Sequence, residues 1–112
     1  MSEKKVNILG TEYTIEELDE EQDETLASCD GYCDKTTKRI VIATKSKDCD
    51  LGDFEWYRKK VLRHEIIHAF HFESGIGENL ENKQYGFPET IVDWVAFQFP
   101  KMLKAFEEVG CL

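Results

Sequence analysis

The chain has 112 residues, of which 41% are hydrophobic and 33% charged, and its net charge is −9. This length suits one small domain, and the mixture is too apolar for a disordered chain. No stretch approaches the ~20 apolar residues that cross a bilayer, and an acidic chain lacks the Lys and Arg excess that binds a phosphate backbone. We therefore expect neither a membrane nor a nucleic-acid partner. The charged first residues lack the apolar core of a signal peptide, which predicts a cytoplasmic protein.

The acidic side chains are concentrated near the start of the chain. Residues 1–30 hold ten acidic and two basic side chains, and seven of the acids fall between Glu16 and Glu24. A run of this kind is most often a solvated loop that keeps a protein soluble. An acidic decoy or inhibitor is the alternative function that such a run suggests.

The chain has four cysteines, Cys29, Cys33, Cys49 and Cys111. A secreted domain would be expected to form two disulfides, but a cytoplasmic chain is expected to keep its thiols reduced. A four-cysteine zinc site would need Cys111 to return from the far end of the chain. We therefore predict free thiols.

The first half of the chain predicts short strands. Apolar residues alternate on both sides of Gly10, so residues 6–15 predict a hairpin with a tight turn. The β-branched run at residues 39–43 predicts the clearest strand. Residues 25–33 suggest another strand with an interruption near its end, and residues 44–53 predict a polar connection.

The second half of the chain predicts helices. Residues 54–74 contain neither Pro nor Gly, with Asp53 as a candidate N-cap and Gly75 as a C-terminal stop. Apolar side chains occupy nearly all sides of this helix, which predicts the buried central helix of the domain. A polar loop is expected to follow and to run to Gly86.

Proline marks the expected limits of the remaining helices. Pro88 suits the first position of a second helix, and Pro100 is expected to interrupt that helix. Residues 100–109 then predict a separate short C-terminal helix. Strands followed by helices indicate a single α+β domain over residues 1–112, in which a small, mostly antiparallel sheet packs on the first two helices.

The first predicted helix contains His64-Glu65-Ile66-Ile67-His68, which is the H-E-x-x-H motif of zinc peptidases. Positions four apart lie about 40° apart around a helix and about 6 Å along its axis, so both imidazoles can reach one ion. Glu65 lies beside the pair, where it can reach a metal-bound water as general base. The chain has three histidines and two of them form the motif, so we predict Zn²⁺ as the cofactor.

A catalytic zinc needs a third protein ligand and an open fourth position. Glu89 and Asp93 place two carboxylates on one face of the second helix. We predict Glu89 as the ligand and Asp93 as the acceptor of the other N–H of a ligand histidine. The alternatives are the reversed assignment, with Asp93 on the metal, and an exposed acidic pair without a metal. Glu73 is predicted to face away, and His71 lies too far along the helix to join both motif histidines on one ion.

The H-E-x-x-H motif followed by Glu89 and Asp93 resembles the gluzincin group of zinc metallopeptidases. Residues 61–70 and 92–96 also resemble short prophage and mobile-element proteins akin to the catalytic part of the ImmA/IrrE-like peptidases, which cleave repressor proteins. The resemblance covers residues 54–100 well. It implies that the downstream Glu is the third ligand and that the Asp four residues later orients a ligand histidine.

These features predict zinc-dependent hydrolysis of a peptide bond in a protein or peptide substrate, with Glu65 as general base. His71, Tyr57 and Tyr85 are candidates for an additional oxyanion donor. The strand at residues 40–43 is a candidate sheet edge, which either pairs with an extended substrate or is protected by charge. The alternative function is a zinc-stabilised regulatory binding module of a phage or mobile element with little or no catalysis.

Overall fold

The structure is a computed structural model that describes residues 3–75 and 88–112. The loop predicted to run to Gly86, with Tyr85 in it, lies outside the described residues. Within those ranges four strands precede two α-helices: β1 (Glu3–Ile8), β2 (Thr11–Leu18), β3 (Gly31–Asp34), β4 (Arg39–Ala43), α1 (Phe54–Glu73) and α2 (Glu89–Glu108). The predicted α+β fold is confirmed.

β4 lies inside the sheet, whose strand order is β1-β2-β4-β3. β2 pairs with β4 in parallel and β3 pairs with it in antiparallel orientation, while β1 and β2 form the antiparallel hairpin predicted around Gly10. The expectation that residues 40–43 form a sheet edge is wrong, because both sides of β4 are paired and Ile40, Val41 and Ile42 are fully buried. The free edges of the described sheet are β1 and β3.

The acidic run is partly engaged in the fold. Glu16 and Glu17 belong to β2, where they form ion pairs with Arg39 and Arg58. The strand predicted next in the chain is present only in its last part, as β3, because Glu24–Ala27 forms a short 3-10 helix. The prediction of a solvated loop is therefore wrong for Glu16 and Glu17, which belong to a strand.

One face of the sheet packs against α1 and forms the hydrophobic core. Its buried members are Ile8, Tyr13, Ile15, Ile40, Ile42, Val61 and Ala69. Burial of an Ile or Val side chain contributes roughly 1.5–3 kcal/mol relative to exposure. A Cβ added at Gly31 would lie 3.0 Å from the carbonyl oxygen of Val41 and 3.1 Å from the Val61 side chain, so the glycine lets β3 approach α1.

α1 begins and ends where the sequence predicts. Asp53 caps it by accepting a 3.0 Å hydrogen bond from the N–H of Trp56, and Gly75 follows its end with a φ of 91°. The prediction that α1 is buried on all sides is wrong in part. The sheet covers one face and α2 another, but Trp56 and Phe70 remain 47% and 43% exposed.

α2 is one continuous helix, so the predicted separate C-terminal helix is wrong. The helix passes through Pro100, and Pro88 is its N-cap. A proline inside a helix leaves the carbonyl four residues earlier without its N–H donor. That carbonyl belongs to Ala96, and the guanidinium of Arg63 on α1 donates to it at 2.6 Å. The proline therefore provides an acceptor through which α1 holds α2.

Glu73, the last residue of α1, ties that helix to the strands. Its carboxylate accepts hydrogen bonds from Lys38 at 2.8 Å, Tyr13 at 2.7 Å and Thr11 at 3.0 Å. The Lys38 ammonium and then the Tyr13 hydroxyl lower the pKa of Glu73 from its ordinary 4.5 to about 2. Glu73 is therefore engaged with the strands, in agreement with its predicted orientation.

Two further expectations concern membranes and thiols. In the described ranges, neither helix has the length and apolar character that a bilayer crossing requires. All four cysteines are free thiols, as predicted.

Arg63→Met is expected to lower the free energy of unfolding by about 1–3 kcal/mol, because the Ala96 carbonyl loses its donor. In a Pro100→Ala background, the loss of free energy of unfolding caused by Arg63→Met should be about 1 kcal/mol smaller. The reason is that the new N–H at position 100 can donate to the Ala96 carbonyl. Urea unfolding of both single variants and the double variant, in a chelator, measures the difference. Strictly additive losses would contradict the role of Pro100.

Acid should weaken the fold partly through Glu73. A carboxyl group whose pKa is lowered in the fold contributes stability above its ordinary pKa of 4.5, and that contribution is lost as the pH falls toward 2. Glu73→Gln should therefore lower stability at neutral pH and flatten its decline between about pH 5 and about pH 2. Thermal unfolding measures both effects. The control is Glu12→Gln, at an exposed position of β2. If the stability of Glu73→Gln fell with pH as steeply as that of the wild type, the Glu73 carboxylate would not be the cause of the acid sensitivity.

Candidate metal centre

The two motif histidines lie one turn apart on α1. Their ring centroids are 4.9 Å apart and their Nε2 atoms 3.2 Å apart. Val61 and Ala69, which precede and follow them on the helix, are buried in the core against the sheet. The imidazoles of His64 and His68 therefore project from a backbone that the sheet holds in place.

Glu89, the first residue of α2, completes the cluster. Its Oε1 lies 2.9 Å from Nε2 of His64, and its Oε2 lies 3.0 Å from Nε2 of His68. The three side chains could hold a metal ion, since one ligand atom from each lies within 4.8 Å of the others. Zinc bonds of about 2.0 Å in tetrahedral geometry separate ligand atoms by about 3.3 Å, which is close to these distances. The Glu89 side chain is 73% exposed, so solvent reaches the cluster on that side.

Asp93 contacts His64 at the other nitrogen of the ring. Its Oδ1 lies 3.3 Å from Nδ1 of His64 and 3.0 Å from Nζ of Lys60. The Lys60 ammonium is the main cause that lowers the pKa of Asp93, and the His64 ring adds to it. An anionic Asp93 favours the proton of His64 on Nδ1 and leaves Nε2 as the ligand atom. The structure thus brings Glu89, and not Asp93, to the Nε2 atoms.

Glu65 is only 7% exposed although it carries a carboxyl group. Burial raises the pKa of Glu65 to about 7, with Glu89 acting in the same direction and His64 opposing it. A carboxyl group with a pKa near neutrality can both accept and release a proton at pH 7. Burial also lowers the pKa of His68, which favours the neutral imidazole that binds metals.

The candidate oxyanion donors in the described ranges are His71 and Tyr57. His71 is buried, and its ring stacks on that of Phe72 with centroids 5.9 Å apart. The hydroxyl of Tyr57 donates to Asp30, and this hydrogen bond, followed by burial, raises the pKa of Tyr57 to about 12. The structure directs the Tyr57 hydroxyl to Asp30, which leaves Tyr57 engaged elsewhere. The role of His71 as an oxyanion donor stays a prediction.

Two residues of the site, Lys60 and Arg63, are absent from the sequence predictions. Lys60 precedes His64 by four residues, so helical spacing alone would have placed it on the same face. Arg63 could have been found only through Pro100, because the proline identifies a carbonyl on the second helix that needs a donor.

A cavity of about 570 Å³ opens beside the cluster. It is lined by His64, Glu89, Thr90, Asp93, Trp94 and Phe97. A larger cavity, of about 890 Å³, lies between the loops that follow β2 and β4 and the first turns of α1, and none of the three cluster residues lines it. Of the three cluster residues, His64 and Glu89 line the smaller cavity.

No family model, no curated protein and no solved structure matches the chain. The resemblance to gluzincins therefore stays a prediction that depends on the motif and its spacing.

When purified without chelators, the chain is expected to carry about one zinc per molecule, measured by plasma mass spectrometry. Glu89→Gln should weaken zinc binding at least about 100-fold, because it removes the anionic ligand. Glu108→Gln, an exposed change on the same helix, is the matched control and should keep the wild-type affinity. Wild-type zinc binding by Glu89→Gln would show that Glu89 is not a ligand.

Proposed function

We propose that the protein is a zinc-dependent metallopeptidase that hydrolyses a peptide bond in a protein or peptide substrate. The observation that carries this proposal is the convergence of His64, His68 and Glu89 at 2.9–3.2 Å, with the buried Glu65 between the histidines in the motif. A structural zinc usually has four protein ligands, whereas three ligands and an open side are typical of a catalytic zinc. The free thiols suit a reducing compartment, and we propose the cytoplasm as the site of action.

In the proposed reaction, each residue of the site has a separate task. Zinc, when bound, supplies a Lewis acid that acidifies a water molecule and polarises a carbonyl group. Asp93, which is itself paired with Lys60, holds the imidazole of His64 in one tautomer and one orientation. A carboxylate oxygen of Glu65 accepts the proton of the attacking water, and the same group then protonates the amine that leaves.

A zinc-stabilised binding module without catalysis is the second candidate. The observation that favours it is the set of half-exposed apolar side chains on α2: Ile91, Trp94, Phe97 and Phe99. Exposed apolar groups in such numbers suit contact with a partner protein. The two candidates differ in their need for Glu65, because a binding module has no use for a general base.

Glu65→Gln should keep about one zinc per chain and reduce peptide hydrolysis by about 100- to 10,000-fold, because the amide cannot accept the proton of water. Cleavage of a mixed peptide library, followed by mass spectrometry, measures the activity. Glu55→Gln, an exposed change on the same helix, is the control and should keep both zinc and activity. Unchanged cleavage by Glu65→Gln would contradict the assignment of Glu65 as the general base.

A further inference from the structure

One side of α2 carries an apolar stripe that runs along the whole helix. The stripe consists of Ile91, Val95, Phe99, Met102, Phe106 and the C-cap residue Val109. At ~100° per residue these positions lie within about 80° of one another around the helix axis. Ile91 is 47% exposed, Phe99 42%, Phe106 39% and Val109 76%, and the other two are partly buried. The stripe is therefore an exposed apolar face of the folded chain.

The charged residues of α2 lie on the other side of the helix. They are Glu89, Asp93, Lys101, Lys104, Glu107 and Glu108. At ~100° per residue they fall about 160–280° from Ile91. Val92 and Ala96, which are the buried residues of α2, lie between the stripe and these charges. The stripe is therefore separate both from the side that is buried against α1 and from the side that bears the metal ligand.

A second copy of the chain is a suitable partner for this face because of its charge pattern. The cores of protein interfaces are depleted of charged residues. Two stripes can meet without bringing any charged side chain of α2 between them, although each chain has a net charge of −9. A membrane with anionic lipids is a poorer partner, because α2 carries four acidic and two basic residues.

The stripe is also complementary to itself. A symmetric dimer uses the same patch on both subunits, so each residue of the patch must find a suitable partner within that patch. An antiparallel pair of helices with its two-fold axis near residue 100 meets this condition. The residues that face each other are then all apolar: Ile91 with Val109, Val95 with Phe106, and Phe99 with Met102.

The exposed area of the stripe is sufficient for a dimer of moderate affinity. Trp94, which is 55% exposed, lies beside the stripe and adds to it. If a fully exposed residue of this size offers roughly 150–250 Å², the stripe and Trp94 together expose about 600 Å². Two copies would then bury about 1,200 Å², which is the lower end of the range for specific interfaces. An area of this size suits a dissociation constant in the micromolar range.

We propose that the apolar stripe of α2 binds the same stripe of a second copy of this chain, so that the protein forms a homodimer. Glu89 and Asp93 lie about 160–200° from Ile91 around α2, so the dimer leaves the metal cluster open. The inference is independent of the proposed function, because association is measured without hydrolysis.

Sedimentation equilibrium of the zinc-loaded chain between about 5 and about 500 µM tests the dimer. The average mass should rise from near the 13.0 kDa of one chain toward twice that value, with a dissociation constant of about 1–100 µM. A mass of one chain at every concentration would overturn the inference. Masses well beyond two chains would also overturn it, because a symmetric interface closes at two subunits.

Phe106→Glu and Val109→Glu locate the interface. Each should weaken the dimer at least about 10-fold, because it places an unpaired charge in an apolar contact. Val109→Glu replaces a side chain that is 76% exposed, so this variant should fold like the wild type. Helix content by circular dichroism and about one zinc per chain verify the fold of both variants.

The matched control is Leu51→Glu. It adds the same charge at an apolar residue that is 43% exposed in the loop before α1, and it should keep the wild-type dissociation constant. A wild-type dimer that neither Phe106→Glu nor Val109→Glu weakens would overturn the assignment to the stripe. A chain that stays monomeric but floats with anionic lipid vesicles, and loses this binding in Val109→Glu, would assign the stripe to a membrane surface and overturn the dimer.

Discussion

The contact of Glu89 with the two motif histidines depends on the spacing between α1 and α2. Both histidines belong to one helix, so helical geometry sets their separation, but the carboxylate comes from the other helix. Metal ligands must be held within about 0.5 Å of their working positions. Three contacts between the helices set this spacing: Arg63 with the Ala96 carbonyl, Lys60 with Asp93, and Trp56 with Phe97. These contacts lie on the same stretch of α1 as the histidines or just before it.

The sheet holds α1, and α1 in turn holds α2. Buried side chains of the sheet anchor the middle of α1, and Glu73 fixes its end to Tyr13 and Lys38. Part of the acidic run contributes to the same scaffold, because Glu16 and Glu17 form ion pairs with arginines. These two residues of the run therefore have a structural role, and the decoy function suggested for the run stays an untested alternative.

The sequence pattern predicted those parts of the molecule that depend on interactions between residues close together in the chain. The hairpin at Gly10, the limits of α1 and the pairing of Glu89 and Asp93 on one helical face follow from turn chemistry, capping and helical spacing. The position of β4 did not follow, because a buried β-branched run has the same composition at an edge as inside a sheet. Strand order depends on pairing between distant segments, which one sequence does not show.

The error at Pro100 has a different cause. A proline breaks a helix when the carbonyl that it frees stays without a donor. Here Arg63 on α1 supplies that donor, so tertiary structure overrides the local preference. Lys60 was missed for a related reason, since its importance depends on meeting Asp93 across the helix interface. The grouping of His64, His68 and Glu89 was therefore predictable from local spacing. The contacts of Arg63 and Lys60 across the helix interface were not.

X-ray absorption at the zinc edge of the metal-loaded chain tests the central claim most directly, because it measures the ligand atoms and their distances. We expect two imidazole nitrogens and one carboxylate oxygen at about 2.0–2.2 Å, with a further light atom from solvent and no sulfur. A sulfur shell at about 2.3 Å, or four protein ligands that leave no solvent position, would contradict a catalytic site built from His64, His68 and Glu89.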